Sequence, residues 1–114
     1  MINPMDPTYP MREKAASFED VVTGTSCNQS SFKTKRGSFF FAGPGAKGMG
    51  FKAMFKLRES MPQAQALANE YPKQFEVGST GWVTTRFSAE EPLPEAIWGK
   101  WIEESYMITQ KVKR

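Results

Sequence analysis

The chain has no histidine, one cysteine (Cys27) and two aspartates (Asp6 and Asp20) in 114 residues. Without imidazole there is no base of the usual kind for a serine or cysteine nucleophile, and none of the commonest ligand for a transition metal. A single thiol cannot complete a zinc site within one chain, and no Asp-rich loop offers oxygen ligands to calcium or magnesium. No catalytic residue, metal or cofactor is therefore expected, and the chain does not read as an enzyme. The lone cysteine forbids an intrachain disulfide and fits a reducing compartment, so a cytoplasmic location is the expectation. No apolar run approaches the ~18 residues of a membrane span. Asn3, Pro4, Asp6, Pro7 and Pro10 break up the order a signal peptide requires, so no membrane partner is expected.

Acids are also missing from one long stretch. Between Asp20 and Glu59 the only charged residues are Lys33, Lys35, Arg36, Lys47, Lys52, Lys56 and Arg58. From Glu59 to Tyr106 the balance reverses: Glu59, Glu70, Glu76, Glu90, Glu91, Glu95, Glu103 and Glu104 stand against Lys73, Arg86 and Lys100. The net charge of +3 thus conceals a dipolar chain whose basic block is a candidate site for an anionic partner. A hydrophobic fraction of 39% and an aromatic fraction of 13% suit one compact domain with one core.

Residues 1–10 hold three prolines and no hydrophobic period, which reads as a flexible lead-in to a single domain over residues 11–114. Met11, Ala15, Phe18 and Val22 recur at helical spacing, with Gly24 placed to end that helix. From Ser31 the period becomes two. Phe32 and Thr34 alternate with Lys33 and Lys35, Arg36-Gly37 supplies a turn, and Ser38–Ala42 makes a second strand. Gly43 to Gly50 is a loop, and Phe51–Arg58 a strand with one apolar and one basic face. Ser60 and Gln63 have the spacing of a capping box for a helix ending before Pro72. Phe75–Val77 and Trp82–Phe87 are strands. Pro94 opens a last helix that lines up Ile97, Trp101, Ser105, Ile108 and Val112, with Trp98 and Ile102 beside them and Lys111, Lys113 and Arg114 at its cationic end. The order α-β-β-β-α-β-β-α, with short connections, predicts an α+β two-layer sandwich: an antiparallel sheet with helices on one face.

Ser31-Phe-Lys-Thr-Lys-Arg-Gly-Ser-Phe39, Ala53-Met-Phe-Lys-Leu57, Gly81-Trp-Val83 and Glu104-Ser-Tyr106 follow one another in the order and spacing of the MmcQ/YjbR-like family, which the chain resembles over about residues 11 to 112. The resemblance implies the same small α+β domain and the DNA-binding label the family often carries. It implies no catalytic residue. Arg36-Gly37-Ser38 departs from the family's glycine-lysine order, and the Gly43–Gly50 loop is unusually rich in glycine.

Strand alternation turns Lys52, Lys56 and Arg58 away from Phe51, Phe55 and Leu57, and Lys33 and Lys35 away from Phe32. These cations would share an open sheet face, joined by Arg86 if Phe87 points inward. Such a surface binds phosphates without reading sequence. The competing reading is a solvated face whose lysines serve solubility and block edge pairing. Arg36-Gly37-Ser38-Phe39-Phe40-Phe41 has a faint likeness to the RNA-recognition signature; at least two of its phenylalanines belong in the core, and Phe40 is the one placed to face outward. Gly43-x-Gly45-x-x-Gly48 matches a dinucleotide fingerprint in letters only, because a strand follows it where a helix is needed. Cys27 has nothing to activate it, and Trp82, Trp98, Trp101 and Tyr106 read as core. Two functions stay open: a non-enzymatic domain that binds nucleic acid or another polyanion weakly and without base specificity, and a protein-interaction or chaperone-like adaptor. The oligomeric state is not legible.

Overall fold

The computed structural model describes residues 6–26 and 28–110. The idle thiol read at Cys27, the helix position of Val112 and the cationic helix end read at Lys111, Lys113 and Arg114 lie outside the described residues. The elements are α1 (Thr8–Ser17), β1 (Val22–Ser26), β2 (Gln29–Thr34), β3 (Gly37–Pro44), β4 (Phe51–Lys56), α2 (Met61–Glu70), β5 (Phe75–Val77), β6 (Trp82–Phe87) and α3 (Glu95–Gln110). The strands form one six-stranded sheet in the order β1-β2-β3-β4-β6-β5, with each neighbouring pair antiparallel. Helices pack on one face of it, so the α+β architecture is the expected one.

Period-two burial explains the layering. Ala53 and Phe55 on β4, Val83, Thr85 and Phe87 on β6, and Phe40 and Ala42 on β3 are buried toward the helices. Trp101 of α3 seals this layer, its ring edge-on to Phe55 and Phe75 with centroids 5.5 Å and 6.1 Å apart. The Trp101 indole N–H donates to Gln63 Oε1 at 3.0 Å, which ties α3 to α2.

The first helix differs from expectation at both ends. It starts at Thr8, inside the stretch read as a lead-in, because Asp6 holds its first turn: Oδ1 accepts from the Thr8 amide at 2.9 Å and the Thr8 hydroxyl at 2.6 Å, and Oδ2 meets Arg12 at 2.9 Å. Pro10 sits in that first turn, where a missing N–H leaves no bond unmade. The helix stops at Ser17, well before Gly24. Phe18 turns extended, Asp20 adopts a left-handed φ of 63°, and the β-branched run Val21-Val22-Thr23 leads into β1, a strand the helical spacing of Val22 had hidden. Gly24 is a residue of this edge strand.

The last helix joins the layers through three consecutive residues. The Glu104 carboxylate accepts from the backbone amides of Arg58 at 2.7 Å and Ser60 at 3.0 Å. It therefore caps α2 from a distant helix; Ser60 makes no side-chain cap bond, and Gln63 is engaged by Trp101, so the expected capping box does not form. Fully buried Ser105 accepts from the Lys56 amide at 3.0 Å, with its oxygen 2.9 Å from the Lys56 carbonyl and 2.8 Å from that of Trp101. The Tyr106 hydroxyl donates to the Glu19 carbonyl at 2.8 Å, and its ring stacks on Phe18 at 4.3 Å.

Candidate nucleic-acid interface

The charged side chains carried by the six strands are Lys33, Lys52, Lys56, Arg86 and Glu76, and strand alternation sets all of them on the face opposite the helices. Lys33 lies on β2, Lys52 and Lys56 on β4, and Arg86 on β6 with Phe87 buried behind it, as the alternation required. Lys52 and Arg86 are directly paired across β4 and β6. Like charges placed opposite one another work against a sheet. Here Glu76 on the neighbouring strand relieves the strain, meeting Arg86 at 3.0 Å.

Two expected members of the face lie elsewhere. Lys35 is not on a strand: β2 ends at Thr34, and Lys35-Arg36 forms the exposed turn before Gly37 (φ 128°), with the Thr34 hydroxyl accepting from the Arg36 amide at 3.2 Å. Arg58 follows the end of β4 at Lys56. Its backbone is held by Glu104, and it lines a groove beside Lys100 and Glu103 on the helical side of the domain.

The face also carries two rings that the sequence had not assigned to it. A β-bulge shifts the β2–β3 register: Phe32 pairs with Phe40, but Lys33 pairs with Ser38, which leaves Phe39 as the extra residue. Phe39 and Phe40 are both fully buried as a result, Phe39 against Phe18 and Tyr106, Phe40 against Phe32 and Phe55. Phe41, not Phe40, then turns outward. Trp82 is half-buried on the same face, and the two rings approach to 5.5 Å over β4, which runs between their strands. Lys56 Nζ stands 5.4 Å from the centre of the Trp82 ring, a cation–π contact. Trp98 and Trp101 are core residues, as read. For Trp82 the signal was present: if Phe87 points inward, a period of two sends Arg86, Thr84 and Trp82 outward together. For Phe41 there was none, because the bulge depends on pairing with β2.

The Gly43–Gly50 segment does not form a phosphate cradle. β3 continues through Pro44, a single turn of 3-10 helix spans Ala46–Gly48, and the Gly45 amide donates to the Gly50 carbonyl at 2.9 Å to close a hairpin loop. Gly50 has a left-handed φ of 66°, and a Cβ there would stand 2.9 Å from the Phe87 carbonyl oxygen, so glycine is required. Among the described residues no group of three or more His, Cys, Asp or Glu is placed to hold a metal ion, and no helix is long and apolar enough to cross a membrane. Comparisons with family models, with curated proteins and with solved structures gave no match to this chain.

Proposed function

We propose that this domain is a non-enzymatic module that binds nucleic acid weakly and without base specificity through its open sheet face, in line with the MmcQ/YjbR-like resemblance of its motifs. The observation that carries the reading is the directly paired Lys52 and Arg86, with Lys56 on the same face of β4 and Lys33 two strands away. A fold that sets two cations side by side raises the local positive potential, and a phosphate backbone lowers that energy by releasing its counterions. Glu76 is the single acid on the strands, and its partner Arg86 remains about half exposed (48%).

The test is binding of fluorescent duplex and single-stranded oligonucleotides at low salt, for the parent chain and for Lys52→Gln/Lys56→Gln. Binding by the parent chain and a loss of about tenfold in the double variant are expected, with an unchanged melting curve. Absence of binding at low salt, or full binding by the double variant, refutes the reading.

A further inference from the structure

We infer that the nucleic acid this face accepts is single-stranded, and that its bases stack on the Phe41–Trp82 pair; the inference rests on the basic-face reading above. Among the described residues Phe41 and Trp82 are the aromatic side chains that the strands turn away from the helices. Every other strand aromatic belongs to the core or, like Phe51, packs against it. Their placement matters more than their number. The rings meet over β4 between flanking cations: Lys52 and Arg86 toward one end of the strand, Lys56 toward the other. Lys52 and Lys56 are four residues apart, about 13 Å along a strand; Phe41 lies level with Met54 midway between them, and Trp82 level with Lys56. A single strand presents this alternation: phosphates at its edge and π-faces that any aromatic ring can receive. Duplex DNA offers the phosphates but keeps its base faces stacked inside.

The Trp82 ring is part-exposed and carries the Lys56 ammonium over it, a flexible side chain that an incoming base displaces while its charge stays beside the phosphate. Two rings inclined at 53° present differently oriented surfaces, which suits bases splayed from a flexible backbone better than the parallel steps of a helix. The uncharged cross-strand neighbours of the two rings, Ser31, Met54 and Thr84, are small or apolar and supply no fork of donors to read a base edge. Stacking here is therefore indifferent to sequence, and it uses chemistry that DNA and RNA share.

The experiment measures the affinities of oligo(dT), oligo(U), a DNA duplex and heparin for the parent chain, Trp82→Leu and Trp82→Phe, with melting curves as the control for folding. Tryptophan emission is followed in the parent chain; Trp98 and Trp101 are buried, so quenching on binding reports Trp82. The expected result is tighter binding of one or both single strands than of duplex or heparin, with quenching. Trp82→Leu should lose about tenfold or more in single-strand affinity, the worth of one stacked base. It should keep its heparin affinity, and Trp82→Phe should recover most of the loss. Equal affinities for all four probes, with no effect of Trp82→Leu, overturn the inference and leave the basic-face reading standing. No binding of any probe at low salt overturns both.

Discussion

Glu104 shows how one side chain can hold a junction that local sequence rules assign to others. Ser60 and Gln63 have the letters of a capping box, yet the amide of the N-cap residue Ser60, and that of Arg58 before it, are satisfied from α3. Partial burial by itself would raise the Glu104 pKa. Hydrogen bonds from the Ser60 hydroxyl and from the amides of Arg58, Ser60 and Glu59 outweigh that, and its carboxyl is held below the ordinary carboxylate value. With the folded pKa lower than the unfolded one, the unfolded chain binds the extra proton in the window between them. The Glu104 contribution is thus complete above the unfolded value and is lost as pH falls through the folded pKa. Urea midpoints measured from neutral to acid pH should fall for the parent chain and fall less steeply for Glu104→Gln; parallel curves would contradict this. Glu104→Ala, which removes the cap outright, should cost about 1 kcal/mol at neutral pH.

Elements were legible where one strong period ran uninterrupted, and illegible where two elements shared it. β4, β6, α2 and α3 follow from alternation or from a 3.6-residue stripe; β4, β6 and α2 lie within two residues of their expected bounds, and α3 does so at its start. β1 was absorbed into α1 because Val22 continues the spacing of Met11, Ala15 and Phe18. What separates them is the left-handed Asp20 and the pairing of Val22–Ser26 with Gln29–Lys33, which is non-local information. The bulge at Phe39 is non-local in the same way, and it decides which phenylalanine faces outward. α3 reads cleanly as a helix, yet its amphipathic stripe says nothing about Ser105 reaching the backbone at the end of β4. Lys56 lies one step past the last β3–β4 pair, Phe40 with Phe55, and Ser105 supplies bonds to its amide and carbonyl. Ser105→Ala should therefore leave both backbone groups short of a partner and cost about 2 kcal/mol. The check is a lower urea midpoint at unchanged slope, since the fold itself persists.

Over the whole molecule, the charge segregation visible in the sequence survives folding only in part. The seven-cation block between Asp20 and Glu59 disperses: Lys35 and Arg36 go to a turn, Lys47 to a loop, Arg58 to the helical side, and Lys33, Lys52 and Lys56 to the open face. Arg86, from the acid-rich half, joins them there, while Glu103 is drawn to Lys14 across α1 and α3 at 2.9 Å. The field of the open face is consequently set by four cations and by Glu76, and Glu76 is the lever that tests it. Its bond to Arg86 is solvent-exposed, with side-chain exposures of 64% for Glu76 and 48% for Arg86. Removing it should therefore change stability by about 1 kcal/mol or less. Its effect on an approaching polyanion should be larger, because Glu76→Gln removes the opposing charge and releases the Arg86 guanidinium for a phosphate. Oligo(dT) affinity at low salt should rise several-fold in Glu76→Gln. The slope of log affinity against log salt should steepen by about 0.7, the increment of one added phosphate contact on a single strand. A matched set with Lys52→Gln should move the slope the opposite way by the same amount. If Glu76→Gln leaves both affinity and slope unchanged, Arg86 takes no part in binding and the face is narrower than the sheet presents it.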